Sequence, residues 1–426
     1  MKPRSVLAVV LIVWCAFARV TAGPADAVQR IAPSASAGSP PRVADVRPPA
    51  NEDCLACHDD DSLKRANGTA LTVHKKVLDA SVHASLACVD CHADLAKAEL
   101  PHAEKLAKVD CATCHADAVA DYARSAHAAA RATGSDVAAT CVSCHGNHDI
   151  RSKTDPQSRT YHLNVAATCA ACHGNQQVIE KGHIAIGDVA SPFRDSIHGK
   201  ALSKSGLLVA PTCSDCHGPH DIRRKSDPSS RVAMANVPGT CGKCHEGIAH
   251  EFAGSVHAAV LAKGTGAPAC QTCHTPHAIH AADDPMWQIG VVNQCGTCHT
   301  DKIKTYRDTF HGQVTKLGFR AVATCADCHG NHRILAASDP ASPIAQANLV
   351  RTCGKCHANA NANFVRYDPH ADKHNRQRNA GLFYASKFMQ ILLLFTFGFF
   401  GLHSALWFGR GLKERRRLRI VGGIHG

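Results

Sequence analysis

The sequence predicts a mainly α-helical chain with extensive irregular loop, elongated, assembled from repeated modules and closed by one C-terminal transmembrane helix. Three observations carry that expectation. Eleven copies of a Cys-x-x-Cys-His run occur within 426 residues. Four stretches between Ser125 and His357 repeat one another. An apolar run from Phe388 to Phe408, 21 residues, contains no Asp, Glu, Lys or Arg.

Composition explains why an ordinary fold is not expected. A chain of this length normally builds two or three domains with conventional cores. Aromatic residues are only 5% of this one, and seven of its 13 Phe lie between Phe383 and Phe408. The remainder is too poor in large apolar side chains to fill such cores. Meanwhile 23 Cys and 30 His are present, far above ordinary usage. Something other than side chains must fill the interior.

Twenty-two of the 23 Cys fall into the eleven runs. The pairs are Cys54 and Cys57, Cys88 and Cys91, Cys111 and Cys114, Cys141 and Cys144, Cys169 and Cys172, Cys213 and Cys216. They continue with Cys241 and Cys244, Cys270 and Cys273, Cys295 and Cys298, Cys325 and Cys328, Cys353 and Cys356. Chance would yield about 0.1 such runs at these Cys and His frequencies. Cys-x-x-Cys-His is the attachment signature of c-type haem. The two thiols add across the porphyrin vinyl groups, and the adjacent imidazole ligates iron from the proximal side. The proximal candidates are His58, His92, His115, His145, His173, His217, His245, His274, His299, His329 and His357. Zinc sites would need a second ligand pair at a regular distance, and thiol redox pairs need no following His. The expectation is eleven covalently attached haem c groups, which would also supply the missing interior.

Taken in order, residues 1–22 read as a secretory signal, with Lys2 and Arg4 before the apolar run Val6 to Ala18 and small residues around Ala22. The one unpaired Cys, Cys15, lies inside that run and is expected to leave with it. Residues 23–50, rich in Pro, Ala and Ser, read as a flexible linker. Residues 51–124 form a block with three motifs. Four two-motif modules follow over 125–195, 196–254, 255–308 and 309–360. In every copy an Asp-Pro pair lies ten residues beyond the first motif's His (Asp155, Asp227, Asp284, Asp339), which predicts a fixed turn. Residues 361–387 read as a juxtamembrane linker and 388–408 as a transmembrane helix, with Trp407 at the interface. Residues 409–426 read as a cytoplasmic tail, because Arg410, Lys413, Arg415, Arg416, Arg417 and Arg419 follow the apolar run at once.

Each module also supplies two further histidines at recurring offsets. One precedes the first motif by 13 to 15 residues: His127, His198, His257 and His311. The other follows the first motif's His by three: His148, His220, His277 and His332. The N-terminal block offers His74, His83 and His102. Eleven distal candidates for eleven irons predict bis-histidine ligation, and with only four Met in the chain, His/Met sites cannot be general. The remaining histidines, among them His162, His183, His280 and His370, read as solvent-exposed. His403 differs, because an ionisable residue inside a membrane helix is costly. It shares a helical stripe with Thr396 beside small residues Gly398, Gly401 and Ser404, and reads as facing a partner.

Charge excludes one class of function. Residues 23–409 carry 38 Lys/Arg against 34 Asp/Glu, a net +4, and each haem would add two propionates. The mature ectodomain is then acidic and lacks the persistent basic face that nucleic-acid binding needs.

With these motifs in place, the chain resembles the multihaem c-type cytochromes with doubled Cys-x-x-Cys-His motifs, similar in style to cytochrome c3, over residues 51–357. Its C-terminal stretch from Asp368 resembles the tail of membrane-anchored members. The resemblance implies an electron carrier whose periplasmic ectodomain is held at the inner membrane, in the lipid bilayer. It further implies partnership with a membrane cytochrome b or another quinone-linked subunit and with a periplasmic redox protein. Two other classes fit the same residues. A multihaem reductase of a nitrogen or sulfur oxyanion would need an iron with an open position, and an electron-storage protein would need no conduction to a partner.

Overall fold

The computed structural model describes residues 47–264 and 266–422, with side chains as far as Ile420. The expected signal segment, Cys15 and the linker up to residue 46 lie outside the described residues. The rest is mainly helical, in short helices separated by turns and loop. Among the described residues there is no strand, only an isolated bridge between Lys64 and Ala70. Side chains bury little: the buried apolar residues are scattered singly, from Leu95 through Ile179, Leu202, Val237 and Val292 to Leu335 and Val365. That agrees with a chain too poor in large apolar residues for a conventional core.

One joint recurs along the chain. A buried Ser or Thr opens the helix that carries the upstream histidine of each module: Ser125, Ser196, Ser255 and Thr309. Its hydroxyl accepts from the amide three residues on, at 3.0–3.1 Å, which satisfies an otherwise orphaned N-terminal donor. The residue between this cap and the histidine then donates its amide to an Ile of the following module. Ala126 bonds the carbonyl of Ile222 at 2.8 Å, Ile197 that of Ile279 at 2.8 Å, and Val256 that of Ile334 at 2.9 Å. Val82 bonds Ile150 in the same way at 2.8 Å, and Ser81 behind it is also buried. The N-terminal block therefore contains a fifth copy of the repeat, Ser81-Val82-His83. The sequence comparison misses it because His83 stands five residues before its motif instead of 13 to 15.

The Asp-Pro segment is a turn in three modules and something else in one. In the first, second and fourth, a buried Ser (Ser158, Ser230, Ser342) and an Asn amide (Asn164, Asn236, Asn348) clamp the loop. Each Asn donates to two carbonyls at 2.7–2.9 Å. The third module lacks that Ser and is three residues shorter between its motifs. There Asp284 caps a continuous helix, Pro285–Cys298, and the expected common turn is replaced. Proline is compatible with the first turn of a helix, where its missing N–H would be unpaired anyway.

The C-terminal helix runs without interruption over Ala380–Gly422, 43 residues. At 1.5 Å per residue that is about 65 Å, roughly twice a bilayer's hydrocarbon core. The expected span 388–408 is its middle, and the same helix continues on both sides. It is the one helix among the described residues long and apolar enough to cross a membrane. Ile391, Leu394, Phe395 and Trp407 are exposed, and nothing else among the described residues covers the apolar stretch.

Candidate functional site

The motif helices explain how the sequence presents its chemistry. Segments such as Cys141–His145, Cys213–His217 and Cys325–His329 are single helical turns. Two cysteines three residues apart on one turn face the same side, with the histidine next to the second. In the second and fourth modules an Asp inside the motif reaches back to the amide of the preceding Thr, at 2.7 Å in both, fixing the start of the turn.

Every motif imidazole lies opposite a second imidazole. Four pairs form within a module: His127 with His173 at 6.1 Å between ring centres, His198 with His245 at 6.2 Å, His257 with His299 at 6.2 Å, and His311 with His357 at 6.0 Å. His83 with His115, at 6.0 Å, is the same pairing in the fifth repeat copy. Four more cross from one module to the next: His92 with His148 at 6.4 Å, His145 with His220 at 6.0 Å, His217 with His277 at 6.0 Å, and His274 with His332 at 6.2 Å. The histidine three residues beyond a motif thus serves the preceding module, not its own. The two ends of the array are closed by His58 with His102 at 6.0 Å and His329 with His370 at 6.2 Å.

Ten of the eleven expected distal histidines are brought opposite a motif histidine. His74 is not. Its two ring nitrogens lie 3.2 Å from Asp59 and 3.3 Å from Asp61, so it is held by the acidic run after the first motif. The eleventh position is filled by His370, which the sequence reading places in solvent. His370 lacks any repeat offset, and only its position in space identifies it. His403 lies on the exposed C-terminal helix.

These spacings suit a metal held between the rings. A metal–imidazole bond is about 2.0 Å and a ring centre lies about 1.1 Å behind its nitrogen, so two imidazoles on opposite sides of one metal sit about 6.2 Å apart. Hydrogen bonding selects the required tautomer at the first pair. Nδ1 of His58 lies 3.0 Å from the carbonyl of Leu71, and Nδ1 of His102 lies 2.8 Å from that of Ala103. A carbonyl only accepts, so each Nδ1 carries the proton and each Nε2 keeps its lone pair. Burial is the first cause that holds His127, His145, His148, His173, His198, His257, His274, His277, His311, His329 and His370 below the ordinary histidine range. The same cause takes His217 to about 4. The unprotonated ring is the ligating form. Among the described residues, no three His, Cys, Asp or Glu side chains gather into a site for a bare metal ion.

The cysteines order the sites along the chain. Sulfurs of consecutive motifs are close neighbours: Cys54 and Cys88, Cys111 and Cys141, Cys169 and Cys213, Cys241 and Cys270, and Cys295 and Cys325. Burial, then the neighbouring sulfur of Cys54, pushes the Cys88 thiol up to about 11. The alternate steps bring Cys91 near Cys111, Cys144 near Cys172, Cys216 near Cys244, Cys273 near Cys295 and Cys328 near Cys353. Each motif therefore neighbours the next one in sequence.

The third module differs here as well. In its replacement helix, Trp287 stacks on His274 with ring centres 5.0 Å apart. In the comparisons with known proteins, no family model, no curated protein and no solved structure matches this chain.

Proposed function

We propose that the protein is an undecahaem c-type cytochrome that conducts electrons between a membrane quinone or cytochrome b partner and periplasmic redox proteins. The observation that carries this reading is the opposition of all eleven motif imidazoles to a second imidazole at 6.0–6.4 Å. The cysteine pairs would hold eleven haem c groups, and these would supply reversible one-electron exchange and the interior that side chains do not provide. Histidine on both faces would close each iron to substrate, which favours a carrier over a reductase. Two imidazoles, rather than imidazole and thioether, also set generally low potentials.

The contacts between consecutive motifs make the path follow the chain, from the motif at Cys54 to the motif at Cys353. The apolar helix beyond it would hold the wire at the inner membrane, its basic end in the cytoplasm and the ectodomain in the periplasm. Electron paramagnetic resonance of the oxidised, full-length protein tests the reading. Low-spin ferric signals accounting for all the iron are expected. A major high-spin ferric population would mean an open iron and return the reductase to first place.

A further inference from the structure

Four motif histidines of the repeat array take their facing imidazole from the next module. No module follows the fourth, yet His329 is not left alone. Forty-one residues on, His370 lies opposite it at 6.2 Å. The planes of this pair are inclined by 48°, against 11° to 32° for the four cross-module pairs. The ligand arrives from a different kind of segment.

We propose that residues 368–379 form a strap that stands in for the absent next module. It would deliver the second axial ligand of the tenth haem and fasten the membrane helix to the wire there. The inference rests on the function proposed above. Asp368 ties the strap together with one carboxylate. Its Oδ1 accepts from the amide of His370 at 2.8 Å, and its Oδ2 accepts from Arg378 at 2.9 Å. The amide of Asp372 donates to the side chain of Asn379 at 2.9 Å, and the carbonyl of Asn379 accepts from Phe383 inside the membrane helix at 2.9 Å. The path from ligand to anchor is therefore ten residues of closed loop with no free linker between them. On the other side, Lys373 pairs with Asp308 at 3.1 Å, at the end of the helix Thr300–Asp308. That pair is exposed and contributes little by itself.

Thr305, on the same helix, orients the ligand. Its hydroxyl lies 3.0 Å from the carbonyl of Lys302 and 3.2 Å from that of Asp301, acceptors to which it must donate. Its oxygen then accepts from Nδ1 of His370 at 3.1 Å. This places the proton on Nδ1 and leaves Nε2 for the metal, the arrangement a ligating imidazole needs. Thr305 is a positioning residue, and movement of the membrane helix would reach the tenth haem through Asp368 and His370.

The test uses the full-length protein in detergent or nanodiscs. His370→Ala should retain eleven haems by intact mass while one in eleven turns high-spin ferric. His74→Ala should leave every haem low-spin. Thr305→Val should keep all haems low-spin but raise the midpoint of one, because an imidazole whose Nδ1–H lacks an acceptor is a weaker donor to ferric iron. Thr305→Ser should restore it. Eleven low-spin haems in His370→Ala would overturn the strap and leave the wire standing, whereas a parent protein with fewer than eleven haems would overturn the wire itself. If His370→Ala does not accumulate, Thr305→Val decides alone, and unchanged potentials there refute the inference.

Discussion

Gly146 connects backbone geometry to ligand placement and gives a quantitative test. It closes the first motif helix of its module at φ 82°, ψ −172°, a conformation essentially reserved for glycine. A Cβ built there would collide with Oδ1 of Asp149. That carboxylate would have to leave, abandoning the amide of Asn147 at 3.2 Å and the guanidinium of Arg159 at 3.2 Å. The backbone strain costs about 1–3 kcal/mol and the displaced exposed contacts about 1 kcal/mol more, so Gly146→Ala should destabilise by about 2–4 kcal/mol. His148 lies in the same loop, so the imidazole facing His92 should loosen with it. The third module carries a side chain at this position on a different backbone, Thr275 at φ 56° and ψ 101°, and there Ala278 replaces the Asp. Gly146→Ala combined with Asp149→Ala should therefore be no worse than Gly146→Ala alone, the backbone part of about 1–3 kcal/mol remaining. Guanidinium unfolding followed by circular dichroism measures the cost, and the ferric spin state reports the His92 site. An unchanged midpoint for Gly146→Ala, or a double variant less stable than the single one, would refute the reasoning.

Two further expectations follow from the same reading. Nearly parallel imidazole planes separate the iron dπ levels and strongly tilted planes bring them together, so the oxidised protein should show low-spin signals spread between two extremes, with the four pairs at 29° to 38° in between. His58–His102, His217–His277 and His274–His332, at 7°, 11° and 15°, belong to the first, and the four pairs at 47° to 52° to the second; a single uniform signal would contradict the ring geometry. His403→Leu should leave membrane retention and the haem spectrum intact yet weaken co-purification with a membrane partner by about 0.6 kcal/mol of lost polar contact; undiminished quinol-driven reduction in native membranes would make the helix a tether only.

Much of the candidate site was legible because the Cys-x-x-Cys-His signature is local. Two thiols and an imidazole within five residues can be read without a fold, and recurrence at constant offsets picked out His127, His148 and their counterparts. What recurrence could not supply is which imidazole meets which. His148 follows His145 by three residues yet faces His92, because the loop after each motif reaches back to the preceding module through the Ile carbonyl. His74 and His370 show the limit from both sides. His74 lies between two motifs in sequence but is captured by Asp59 and Asp61. His370 lies in a segment that reads as linker, and is placed by Asp368, Thr305 and the start of the C-terminal helix. The third module's Asp-Pro kept its position in sequence but became the cap of a helix, because the clamp-forming Ser is absent there.

The central claim is that eleven covalent haems occupy eleven facing histidine pairs, and the intact mass of the denatured, full-length protein tests it most directly. Thioether-bound haem survives denaturation, so the account predicts the polypeptide lacking residues 1–22 plus the mass of eleven haems. A bare polypeptide, or one that gives up any of its haems to acid-acetone, would contradict it.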